Sequence, residues 1–283
     1  MKEFITLNLR AIKGRAYPRI VGANREPSWI FFDTILPLLT VAAYVFVYQY
    51  LGQIAISGDE KGYIAQFVGY VILGGAMTAY WMNVLWSMAA QFYWEKEIGN
   101  LQLYLIAPMS RMAVLGGMAI GGMFYTSVRA ISTIVIGVFI FGVVFSVGPP
   151  IYLLLVFFLT LVALYGMGML FASLYMLYGR EAWHTSSLLT EPIYLISGFY
   201  FPVRYLGAIV AVSASIIPIT LGLDALRQLM FTETAAIHGF LPVEWEMVIL
   251  LALSVLFLFF ARHALHYMEN LGRKHGRLTM RWQ

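Results

Sequence analysis

Few side chains in this sequence could do chemistry, and they fall into two settings. Glu95, Lys96 and Glu97 stand together in residues 91–111, QFYWEKEIGNLQLYLIAPMSR, between two long apolar runs. Gly99-Asn100 signals a turn there, Leu101 opens a short amphipathic segment over 101–106, and Pro108 stops it. Such an island is disfavoured in hydrocarbon, so it is expected to project into water, where a soluble partner can take hold. Arg129, Glu191, Asn83 and Asp33 lie instead within apolar runs. A cation in a membrane is costly unless paired or hydrated, so Arg129 reads either as a paired or snorkelling residue or as the lining of a polar route. Glu191, beside Pro192, is its potential partner. Asp33 reads as an interface acid, with a transport role as the other option. Asn83, near Tyr80, Trp81 and Trp86, reads as a packing or interface residue, with contact to an amphipathic substrate as its other reading.

Enzyme chemistry has no comparable support. The sequence contains no G-x-x-x-x-G-K-[ST] loop, no H-E-x-x-H and no G-x-S-x-G. With no cysteine, disulfides and thiolate metal sites are excluded. Of the scattered histidines, His263 and His266 can share a helix face, but beside a basic tail they read as interface residues rather than as metal ligands.

These groups must be positioned by a membrane-embedded scaffold. The chain has 283 residues, 61% hydrophobic and only 11% charged, too little charge to cover a soluble globule of this size. An all-α, polytopic membrane protein with six transmembrane helices is expected, with spans at 29–50, 63–90, 112–147, 151–178, 182–200 and 244–262. Residues 1–28 form a basic arm whose apolar residues recur at helical spacing up to Pro18, the pattern of an N-terminal interfacial helix without a signal-peptide cleavage pattern. Residues 58–62 and 148–150 read as external turns. The third span, rich in glycine at its start, is too long for one straight crossing. The fifth is expected to break at Glu191-Pro192 and again at Ser197-Gly198. An external re-entrant segment over 205–230 separates spans 5 and 6: an apolar piece ending at Pro218, then a rim helix with Asp224, Arg227 and Gln228 on one face. Residues 263–283 form a basic tail.

The net charge of +4 is best read as topology. On this path six Lys and Arg residues fall in 1–28, two in 91–111, one in 179–182 and five in 262–283, making 14 of the 18. Both termini are therefore expected in the cytoplasm.

This layout resembles the membrane subunit of a type 2 ABC exporter. The resemblance is carried by the basic arm, by YWEKEIGNLQLYLIAPMSR with the Gly-rich third span after it, and by LLTEPIYLISGFYFPVRYLG followed by PITLGLDALRQLM before the last span. It covers nearly the whole chain and rests on the order and spacing of these segments. It implies a 29–262 transmembrane domain in which the island couples to a separate cytoplasmic P-loop ATPase through Glu95, Lys96, Glu97, Gly99, Leu101 and Pro108. A second permease copy or homologue would complete the path. The chain itself would bind no cofactor, ATP and Mg residing on the ATPase, and would sit among lipids of a prokaryotic cytoplasmic membrane without binding nucleic acid. Export of a hydrophobic or amphipathic small molecule, such as a drug or lipid, is favoured, with polysaccharide or glycolipid export as the alternative. From other classes, an ion-coupled carrier would need an acid such as Glu191 or Asp33, and a noncatalytic scaffold would show no vectorial flux.

Overall fold

The computed structural model describes residues 2–23, 27–54, 58–176, 180–232 and 239–275, and these are overwhelmingly helical. Helix α1 (Lys2–Ala23) is the basic arm. Two long helices follow, α2 (Pro27–Ile54) and α3 (Gly58–Met82), and α3 runs into a π-helical stretch, Asn83–Met88. The hairpin of α4 (Gln91–Ile98) and α5 (Asn100–Ile106) leads into α6 (Arg111–Phe141). Then come α7 (Pro150–Tyr175), α8 (Arg180–Ile196), a 3-10 turn at Val203–Leu206, and the short helices α9 (Ala208–Ala214) and α10 (Pro218–Met230). The final helix, α11, spans Val243–Lys274.

Four helical stretches among the described residues are long and apolar enough to cross a membrane: Phe67–Ile98, Arg111–Phe141, Pro150–Tyr175 and Val243–Lys274. A fifth arises if α9 and α10, bent by 109° at a short break, count as one span. Of the other two expected spans, 29–50 lies in α2, where the described apolar piece is Leu39–Leu51, and 182–200 covers most of the 17-residue α8. The candidate spans bury different shares of their apolar windows: 89% for Phe67–Ile98, but 22% and 28% for α6 and α11. The α3 region is thus the centre of the packing, whereas α6 and α11 turn apolar faces outward, a pattern suited to lipid.

Several local expectations are revised. Helix α1 continues through Pro18 to Ala23 because its far half lies against α6. That close approach needs Gly117, where a Cβ would stand 2.6 Å from the Ile12 carbonyl oxygen. Residues 58–62 open α3 rather than forming a turn, and α8 passes through Pro192 before ending next to Ser197-Gly198. Helix α6 is unbroken for 31 residues, about 46 Å at a rise of 1.5 Å per residue, and its excess over a bilayer's thickness is the Gly-rich part under α1. Helix α11 extends twelve residues past the expected boundary at 262, taking in the start of the basic tail.

The greatest surprise lies in α10. Its polar residues face inward, with Asp224 at 4% and Arg227 at 2% exposure. Arg227 Nη1 donates to the Gly198 carbonyl at 2.6 Å and more loosely to Phe201 at 3.4 Å. Its Nη2 donates to the carbonyls of Phe199 at 2.8 Å and Tyr70 at 2.9 Å. One guanidinium so fastens the turn after α8 to both α3 and α10. The Asp224 carboxylate accepts from the Phe240 amide at 2.7 Å and from Gln228 Nε2 at 3.0 Å. That same Gln228 nitrogen reaches the Leu241 carbonyl at 2.6 Å and Glu246 at 3.3 Å, tying α10 to the start of α11.

Candidate functional site

The α4–α5 hairpin is made by one residue with a backbone conformation that favours glycine. Gly99 has φ 88°, in the left-handed region, and its amide bonds back to the Lys96 carbonyl, so α4 stops and α5 starts in a new direction. Ala107 then turns extended ahead of Pro108, and α6 begins at Arg111. The ends of this connection are fixed from outside. Asn8 of α1 accepts the Ser110 amide at 2.8 Å, in place of a local cap at the start of α6, and Arg111 grips Glu269 of α11 through two bonds of 2.6 Å.

Glu95 does not project into water. It is 3% exposed and forms the hub of the hairpin. One oxygen pairs with Arg15 of α1 and accepts from Gln91 at 2.7 Å, and the other accepts from the Tyr104 hydroxyl of α5 at 3.3 Å. The Arg15 guanidinium also lies 5.7 Å from the centre of the Tyr104 ring. Lys96 and Leu101 are buried too, at 5% and 1% exposure. The outer surface of the hairpin is apolar instead: Trp94, Ile98, Leu103 and Ile106 are exposed, the last at 80%, with Pro108 beside them. Glu97 lies between the two zones, and its Oε1 is buried without a hydrogen-bond partner. The amphipathic pattern read from 101–106 is therefore real, but the charges near it hold the hairpin to α1 from within.

Arg129 and Glu191 come together. Both line a cavity of about 360 Å³ formed by α2, α3, α6, α8 and the turn after α8, together with Thr40, Tyr44, Thr78, Met82, Tyr194 and Tyr200. Tyr44 and Tyr200 stack with ring centres 3.9 Å apart, and Tyr194 stands 6.5 Å from Tyr200. Opposite charges and phenol rings thus line one cavity. Asn83 is not part of it. Its Oδ1 accepts from Tyr165 of α7 at 3.0 Å, so it joins the π-helical stretch to the core. The side chain of Asp33 lies outside the described residues.

A family model described as ABC-2 type transporter matches residues 19–231, which takes in the hairpin, the cavity and the bent α9–α10 pair. This chain belongs to the ABC-2 type transporter family. It is accordingly an ABC exporter permease and a multi-pass membrane protein, of a family whose permeases generally work with an ATPase partner. No curated protein matches the chain. Sequence reasoning about this ABC-2 permease missed Arg15, Tyr104, Asn8 and the Arg111–Glu269 pair, all of which fix the hairpin. The available signal was the surplus of cations in the arm beside two acids in the island. Residues 80 positions apart leave no local spacing that could name the pair.

Proposed function

We propose that this permease exports a hydrophobic or amphipathic small molecule, driven by a separate P-loop ATPase that docks on the α4–α5 hairpin. The observation that carries the reading is the division of the hairpin: a buried Glu95 hub locks α4, α5 and α1 into one rigid piece, while Trp94, Ile98, Leu103 and Ile106 present an apolar outer surface. A partner seated on that surface would move α1 and the ends of α3 and α6 together, since the hairpin joins both and α1 packs along α6. ATP and Mg would stay on the ATPase.

In this reading α2 and α8 complete six spans, the bent α9–α10 pair forms an external re-entrant cap, and both termini lie in the cytoplasm with the basic ends. Two permeases would enclose the path, at whose wall the cavity of Arg129 and Glu191 offers an amphipathic molecule both charge and ring surface. The stacked tyrosines favour a second reading, export of a polysaccharide or glycolipid, since sugar faces stack on aromatic rings.

Purification of the tagged chain from its native membrane in mild detergent, after crosslinking, tests the proposal. Two copies of the chain with two of a P-loop ATPase are expected. Recovery with no ATPase would put an ion-coupled carrier first.

A further inference from the structure

A second cavity, of about 950 Å³, opens where α1, the start of α6 and the far part of α11 meet. It lies outside the hairpin hub and the Arg129–Glu191 cavity. Its walls change character along α11: Leu258 and Phe259 close a long apolar run, and Arg262, His263 and His266 follow. Phe4 of α1 faces the same space and is 54% exposed.

The charge balance there is lopsided. Glu269 is the acid lining the cavity, and its two oxygens are taken by Arg111. Arg262 is exposed and has no ion-pair partner among the described residues, and both imidazoles are exposed. His263 donates through Nδ1 to the Phe259 carbonyl at 2.8 Å, which sets its ring and directs Nε2 away from its own helix. In the cationic form that second nitrogen is a donor.

We infer that this cavity binds the headgroup of an anionic phospholipid, with Arg262, His263 and His266 on the phosphodiester and the acyl chains leaving over Phe259 and Phe4. The argument is charge complementarity at a particular depth. A soluble anion would satisfy the cations but has nothing for the apolar wall. A zwitterionic lipid would satisfy the wall but brings a cation of its own to a site that already has an excess. Only an anion with an apolar tail matches both halves, and the apolar-to-cationic transition in α11 marks the depth at which such headgroups lie. The lipid would bridge α1 to α11 beside the Arg111–Glu269 pair and so brace the arm that holds the hairpin.

Native mass spectrometry of the full chain, released from nanodiscs of mixed dioleoyl-phosphatidylglycerol and dioleoyl-phosphatidylcholine, reads this directly. Preferential retention of phosphatidylglycerol, undisturbed by excess inorganic phosphate, is expected for the wild type. Arg262→Gln should weaken that retention about fivefold, and His266→Gln added to it should weaken it further, while Arg262→Lys keeps most of it. Equal retention of the two lipids by the wild type would overturn the inference without any substitution. So would displacement of the lipid by phosphate, which would mark a soluble-anion site, or unchanged retention in a folded double variant.

Discussion

The two ends of the α3 region use arginine in opposite ways. Near the hairpin, Arg15 and Arg111 meet carboxylates on other helices, Glu95 and Glu269, so each contact ties the side chains of two separate helices together. Toward the other end, beside Tyr70, Arg227 commits its guanidinium to main-chain carbonyls of residues 70, 198, 199 and 201. Tyr70 and Glu95 lie roughly 37 Å apart along the chain's helical path at 1.5 Å per residue. The Arg227 guanidinium is buried and held by several carbonyls at once, so it fixes a turn. The contacts at the hairpin end are suited to transmitting movement, because the Glu95 hub holds α1, α4 and α5 as one piece and the Arg111–Glu269 pair ties the start of α6 to α11.

That contrast can be broken most severely at Arg227. Arg227→Leu removes hydrogen bonds to four carbonyls and leaves buried acceptors unsatisfied, a cost of at least about 3 kcal/mol. Loss of the folded chain, seen as aggregation in detergent size exclusion, is expected, and Arg227→Lys should recover little because an ammonium lacks the planar fork. A variant as stable as the wild type would remove the claim that this end is rigid.

Gly117→Val should come next. A Cβ at that position meets the Ile12 carbonyl oxygen at 2.6 Å and the Arg15 Cβ at 2.8 Å, so α1 must leave α6 and draw Arg15 away from Glu95. Cysteine crosslinking between positions 8 and 110, held together in the wild type by a 2.8 Å bond, should fall sharply, whereas the chain still inserts. Persistence of that crosslink would show that α1 is held by something other than close packing.

Smaller effects sharpen the comparison. Glu269→Gln weakens the Arg111 contact by about 1–2 kcal/mol. It should lower the melting temperature less than Arg227→Leu does, since the lost partner lies at a partly exposed pair. Arg129→Leu and Glu191→Gln bear on transport rather than on folding. Glu191→Gln should leave ATP-driven efflux of a lipophilic dye largely intact, while Arg129→Leu should alter it; abolition of flux together with its pH dependence in Glu191→Gln would favour ion coupling.

How far the sequence disclosed this arrangement depended on the range of the interactions. The hairpin was legible because its signals are local: Gly99-Asn100, the amphipathic 101–106 and Pro108 lie within ten residues. Helical character and membrane location followed from composition. The burial of Glu95 and Arg227 was not legible, because each is satisfied by partners remote in sequence, Arg15 for the first and the carbonyls of residues 70 and 198–201 for the second. A charge in an island flanked by turns looks solvated until another helix covers it. Likewise Arg129 and Glu191 stand 62 positions apart, and only the tertiary fold brings them to one cavity. The breaks expected at Pro18 and Glu191-Pro192 did not form: both helices run through a proline, and the packing of α1 along α6 holds the first of them.

The central claim, that the Glu95 hub makes the hairpin a rigid coupling piece, is tested most directly by a double-mutant cycle on the intact permease–ATPase complex. ATP hydrolysis would be compared, relative to the isolated ATPase, for wild type, Arg15→Glu, Glu95→Arg and the charge-swapped pair, with recovery of the ATPase measured alongside. Each single variant should lose most of the permease-dependent change in hydrolysis while retaining the bound ATPase, and the swapped pair should regain a substantial part of it. Wild-type behaviour in both single variants, or losses that simply add in the pair, would contradict the account.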